Sequence, residues 1–140
     1  MPALRWQWVM IGLDTNVVLR WLTADDSNPA QNQAALRAVD AADDMIFLND
    51  IVIAECCWVL ATRFRLSRPD QAAGFRRLLA HPMVRVSNLS AFIDALTAYE
   101  MGGPGLSDRL IGALNHAAGC KTTLTFDKAA SKGPHFSELT

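Results

Sequence analysis

Four acidic residues stand at positions where chemistry could be done: Asp14, Glu55, Asp108 and Asp127. Asp14 follows a continuous apolar run, Trp8 to Leu13, and Asp127 follows Thr-Leu-Thr-Phe (123–126). Asp108 opens a helix that leads into that second segment. Glu55 is the only charge in the apolar stretch from Ile51 to Ala61. Each has a structural alternative. Asp14 could cap a helix, Asp108 could answer a helix dipole, Asp127 with Lys128 could be an ordinary turn, and Glu55 could pair with a buried Arg. Taken together they make an oxygen-only set. Carboxylates packed together raise one another's pKa unless a cation intervenes. Hard oxygen donors suit Mg²⁺ or Mn²⁺, and such an ion can activate water and stabilise the displaced oxygen of a phosphodiester. Metal-dependent phosphoryl or phosphodiester chemistry is therefore the expectation from the residues alone.

The elements that must position these acids alternate. Short apolar runs at 8–13, 45–48, 83–86 and 121–126 read as strands, with a short fifth around His135 to Leu139. Several of them lack polar alternation, as strands buried on both faces do. Between them lie helical patterns: a short one from Val17 to Leu22, one from Pro29 to about Ala42 behind an Asn28 cap, one from Ile51 to Arg65, one opened by Ser67 or Arg68, one capped by Ser90, and one capped by Ser107 and closed by Gly119. Ala35, Val39 and Ala42 share one face of the Pro29 helix. The Ile51 helix is apolar nearly all round and is expected in the core. Such alternation predicts an α/β fold, a parallel sheet with helices on both sides, whose working edge lies beyond the carboxyl ends of the strands.

Bulk properties set limits. With 140 residues, 51% hydrophobic and 19% charged, the chain suits one folded domain and neither disorder nor a repeat. Residues 10–140 are expected to be that single domain, with 1–9 an N-terminal extension, since Met10 could equally be a start. Net charge is −1, but six Asp lie between Thr23 and Asp50 and six Arg between Arg63 and Arg85. Opposed blocks allow a basic surface for a polyanion, or simply two solvated faces. Three cysteines (Cys56, Cys57 and Cys120) with no leader segment fit a reducing, cytoplasmic setting, and no run reaches membrane-spanning length. His116 and Cys120 are four apart on a helix, but a metal site would want two further ligands. His81 and His135 fall in expected loops and are read as solvated.

Four segments carry a resemblance to a known family. Met-Ile-Gly-Leu-Asp-Thr-Asn-Val-Val-Leu-Arg-Trp-Leu (10–22) looks like the opening of a PIN domain. Ile53-Ala-Glu55 with Trp58-Val-Leu60, Leu106-Ser-Asp108-Arg-Leu-Ile111 and Leu124-Thr-Phe-Asp127 resemble the three later acidic motifs, in order. The resemblance implies a three-layer α/β/α sandwich with a parallel sheet of four to five strands in order 3-2-1-4-5. It implies a Mg²⁺- or Mn²⁺-dependent endoribonuclease, VapC-like in this size class, silenced by a VapB-like antitoxin and often a homodimer. It assigns catalysis and metal binding to Asp14, Glu55, Asp108 and Asp127, with Asn16, Thr125 and Ser107 in support. Substrate contacts could come from Arg63, Arg65, Arg68 and Arg109. Two positions depart from the pattern: Gly105 where many relatives carry a further acid, and Arg109 where a small or apolar residue is commoner. Two rivals stand beside this reading. One is a PIN fold that holds RNA or a partner without cutting. The other is a receiver-type phospho-acceptor domain with Asp50 as acceptor, which leaves Glu55 without a purpose and lacks an acidic pair after the first strand.

Overall fold

The computed structural model describes residues 10–23, 27–41 and 43–140. Along the chain run β1 (Met10–Gly12), α1 (Thr15–Leu22), α2 (Pro29–Asp40), β2 (Met45–Leu48), α3 (Asp50–Thr62), α4 (Arg68–Ala80), β3 (Val84–Val86), α5 (Leu89–Glu100), α6 (Leu106–Ala117), β4 (Thr123–Thr125), α7 (Lys128–Ser131) and β5 (Phe136–Glu138). The alternating pattern and α/β class are as expected. The proposed extension at 1–9 with Trp6 and Trp8, the acids Asp25 and Asp26, and Ala42 at the end of the Pro29 helix lie outside the described residues. No helix among the described residues is long and apolar enough to cross a membrane.

Contacts divide the chain into two units. The first holds the residues up to Cys56 together with Gly74–Ser87. Its sheet is parallel, in order β1-β2-β3, with Met10 opposite Met45 and Ile46 opposite Val84. The central strand β2 buries Ile46 and Leu48. As an edge strand, β1 is only partly covered: Met10 is exposed, where burial on both faces was expected. The Asn28–Pro29 signal acts as read, since the Asn28 side chain accepts from the Gln31 N–H and Pro29 starts α2. Val18 and Leu19 from α1, Ala35 and Val39 from α2, and Phe75 and Leu78 from α4 complete this core.

The second unit holds Cys57–Ala73 and Asn88–Thr140. Its core draws Phe92, Leu96 and Tyr99 from α5 and Leu106, Leu110 and Ala113 from α6. Its strands β4 and β5 pair in parallel, Thr123 opposite Phe136. The expected neighbours 3-2-1 and 4-5 are therefore present, as two hydrogen-bonded sheets among the described strands. Gly119 ends α6 in the left-handed region, at φ 103°.

Three local readings are corrected. Helix α5 starts two residues early because Asn88, not Ser90, accepts the Ala91 N–H. Helix α6 has Gly105 at its N-cap and no side-chain cap, so Ser107 lies inside its first turn. Helix α3 is not a core helix all round: Val52, Ile53, Cys56, Cys57 and Leu60 are buried, while Ile51, Glu55 and Trp58 form an exposed stripe. Uniform hydropathy carries no period and so could not show which side would be covered.

Candidate active site

In the first unit the chain leaves β1 through Leu13, whose N–H donates to the Phe47 carbonyl at 3.4 Å. Asp14 then takes an extended conformation and caps α1, its Oδ1 accepting from the Val17 N–H at 3.1 Å. The capping alternative is thus real, yet among the described residues it engages only Oδ1. Thr15, next in sequence, donates its hydroxyl to Glu55 Oε1 at 2.5 Å. That bond ties the glutamate of α3 to the residue beside Asp14. Glu55 is exposed, so the expected need for a buried counter-charge falls away. Thr15 is the residue that the sequence reading passed over; its only signal was its place between Asp14 and Asn16. Asn16 is exposed, with no hydrogen-bond partner for its side chain among the described residues. Asp50, the acceptor in the receiver-type reading, accepts from the Ser87 hydroxyl at 2.5 Å.

Residues of α1 and α2 in this unit enclose a groove of about 350 Å³, with Asp14, Asn16 and Arg20 on one side and Gln31 on the other. Val17, Ala34, Ala35 and Ala38 complete its lining.

The second unit positions its acids from a glycine-rich loop. Gly102 and Gly103 adopt φ of 113° and 78°, conformations that L side chains rarely reach. Two arginines hold this loop. Arg68 donates to the carbonyls of Tyr99 (2.9 Å), Pro104 (3.2 Å) and Gly103 (2.8 Å), and its guanidinium lies 4.2 Å from the centroid of the Tyr99 ring. Arg109 donates Nη2 to the Gly102 carbonyl at 2.8 Å, while its buried Nε has no partner. A Cβ at Gly103 or Gly133 would stand 2.6 Å or 2.8 Å from the Arg109 guanidinium, so both glycines make room for it. Burial, and then the charge of Arg68, lowers the Arg109 pKa. Neither guanidinium is simply solvated, whereas Arg63 and Arg65 are exposed after α3.

Asp108 stands in the first turn of α6, half-buried. A helix N-terminus favours a carboxylate, yet its pKa is raised, first by burial and then by the charge of Asp127. Asp127 caps α7, with Oδ1 accepting from the N–H groups of Ala129 (2.8 Å) and Ala130 (3.3 Å). Its own N–H donates to Thr125 Oγ1 at 3.0 Å, so Thr125 fixes the backbone at this acid. The sequence reading had only a turn here; α7 is too short to show a period. Ser107 hydrogen-bonds with the Cys57 thiol, which burial pushes up to about 12.

Other candidates resolve differently. His116 stacks on His135, ring centroids 4.1 Å apart, and Cys120 is exposed. His81 accepts from the Met83 N–H and meets Trp21 edge-on, so neither His81 nor His135 is a freely solvated loop residue. Among the described residues no three His, Cys, Asp or Glu side chains form a group that could hold a metal ion. The donor chemistry at Asp108 and Asp127 nevertheless fits a hard cation: two carboxylates repel, and a divalent ion would relieve the repulsion.

Comparison with curated proteins finds no match to this sequence. The family model described as PIN domain matches residues 11–134. The chain therefore belongs to the PIN domain family, whose members are typically nucleases that use divalent metal ions.

Proposed function

We propose that the chain is a Mg²⁺- or Mn²⁺-dependent endoribonuclease, the VapC-type toxin of a toxin–antitoxin pair. The observation that carries the reading is Asp108, a half-buried carboxylate whose pKa is raised by burial and then by the charge of Asp127, within a domain of a nuclease family. Bound there, the ion supplies a Lewis acid for water and for a phosphodiester oxygen. Asp108 and Asp127 would hold it, and the family resemblance assigns Asp14 and Glu55 to the same reaction. The chain's own work is positional. Thr15 orients Glu55, Thr125 and the α7 amides orient Asp127, and Arg68 and Arg109 hold the loop from which α6 presents Asp108.

The finer assignments rest on the resemblance: RNA as substrate, a VapB-like antitoxin that blocks the acidic residues, a homodimer, a cytoplasmic setting, and 10–140 as one domain. Gly105, which brings no carboxylate to the α6 N-cap, favours a second reading in which the fold holds RNA or a partner without cutting it.

Purified protein incubated with total cellular RNA in Mg²⁺, Mn²⁺ or EDTA, beside Asp14→Asn and Asp108→Asn, separates the two. Discrete fragments that need metal and vanish in both variants support the nuclease. Intact RNA in every metal, with binding retained, selects the non-cutting module.

A further inference from the structure

We propose that the groove between α1 and α2 is a base-recognition subsite, taking one nucleobase of single-stranded RNA beside Asp14. The inference rests on the nuclease reading and adds to it the origin of sequence preference. Asp14 lines the groove, so a group seated there lies beside one of the acids assigned to the reaction. At about 350 Å³ the space falls at the lower end of the ~300–1,000 Å³ typical of small-ligand pockets.

The lining suits a flat heterocycle. Val17, Ala34, Ala35 and Ala38 give it small apolar lining residues. The exposed side-chain amides of Asn16 and Gln31 also line it and each offer donors and an acceptor, and neither amide has a protein partner among the described residues. Amides of this kind read the edges of bases, and unstacked RNA bases are recognised through those edges. Arg20 adds a planar cation. Its Nη1 donates to Ser27 Oγ and Asn32 Oδ1, each at 3.4 Å, which restricts the plane of the guanidinium; such planes stack on bases or meet a neighbouring phosphate. An apolar side chain from a protein partner would fill the same space but leave both amides unsatisfied, a cost of about 1–3 kcal/mol for each buried group. A polar, planar occupant avoids that cost.

The test uses substitutions away from the acids. Ala34→Leu and Ala38→Leu change exposed helix positions that line the groove and narrow it; Gln31→Leu removes one amide. Cut sites are mapped by sequencing fragment ends from a randomised single-stranded RNA. The wild type is expected to favour one base over the poorest by roughly 5- to 100-fold at one position flanking the cut. In the three variants that ratio should fall to about 2-fold or less, with preferences elsewhere and thermal unfolding unchanged. Cutting without base preference in the wild type, or an unchanged preference in the filled variants, overturns the subsite. A second measurement holds even if no RNA is cut: anisotropy of labelled A, C, G and U oligonucleotides in EDTA. Base-dependent binding that Ala38→Leu abolishes would keep the subsite while the nuclease reading fails. Base-blind binding by the wild type, or binding that survives filling, overturns the subsite itself.

Discussion

In the first unit Asp14 and Glu55 each meet a donor: the Val17 N–H for one, the Thr15 hydroxyl for the other. In the second unit Asp127 is likewise held, by two amides of α7, but Asp108 has no hydrogen-bond donor among the described residues and faces the charge of Asp127. The first pair is settled by the fold; the second carries an electrostatic conflict that the fold leaves standing. A carboxylate kept in such a place is destabilising unless something else lowers its energy. The contrast teaches where ligand-dependent stabilisation should concentrate, because a cation gains most where the protein supplies least.

The largest expected effect is on activity. Asp108→Asn should lower RNA cleavage by at least about 10²-fold, since residues that merely orient ligands already cost 10–100-fold. Thr15→Val, acting only through Glu55, should cost roughly 10–100-fold, read from initial cleavage rates on one defined RNA. Were Thr15→Val as damaging as Asp108→Asn, the division between held and conflicted acids would not stand.

Packing extends the comparison to the two units at large. A Cβ at Gly112 in α6 would lie 2.4 Å from the Phe136 ring, so Gly112→Ala should lose about 1–3 kcal/mol in urea unfolding. The same change at Gly74 in α4 meets Leu22 at an ordinary 3.5 Å, so Gly74→Ala should gain about 0.5–1 kcal/mol.

Smaller effects separate the acids by sign. Asp14→Ala removes the α1 cap and should cost about 1 kcal/mol. Asp108→Asn in metal-free buffer should be neutral or gain at most about 1 kcal/mol, given solvent screening. Because the folded pKa of Asp108 is raised from 3.8, the folded state binds more protons than the unfolded one just above that value. Stability should therefore decline as pH rises from 3.8 through the raised pKa. Thermal melts across that window should show the decline in wild type and a flatter profile in Asp108→Asn. A destabilised Asp108→Asn would mean that the carboxylate is structural.

What the sequence made legible was what local signals determine. Apolar runs mark the strands, Asn28–Pro29 marks a helix start and Gly119 a helix end, because each depends on its own backbone geometry. The four acids stood out through their unusual settings. What stayed hidden depends on neighbours distant in sequence. The Glu55 partner is 40 residues away, and nothing near Asp14 announces it. Asn88 prevails over Ser90 as a cap because the chain already turns there, and α3 has no hydropathy period to show its exposed side. The lodging of Arg109 stayed hidden because neither Gly103 nor Gly133 signals, by itself, the space that it leaves.

That space couples three positions. Arg109 occupies a slot whose walls are glycines at 103 and 133, and its guanidinium grips the Gly102 carbonyl. The three positions form an epistatic set. Glycine at both wall positions accommodates Arg109 without displacement; a Cβ at 133 would stand 2.8 Å from its Nη1, so the guanidinium would have to shift.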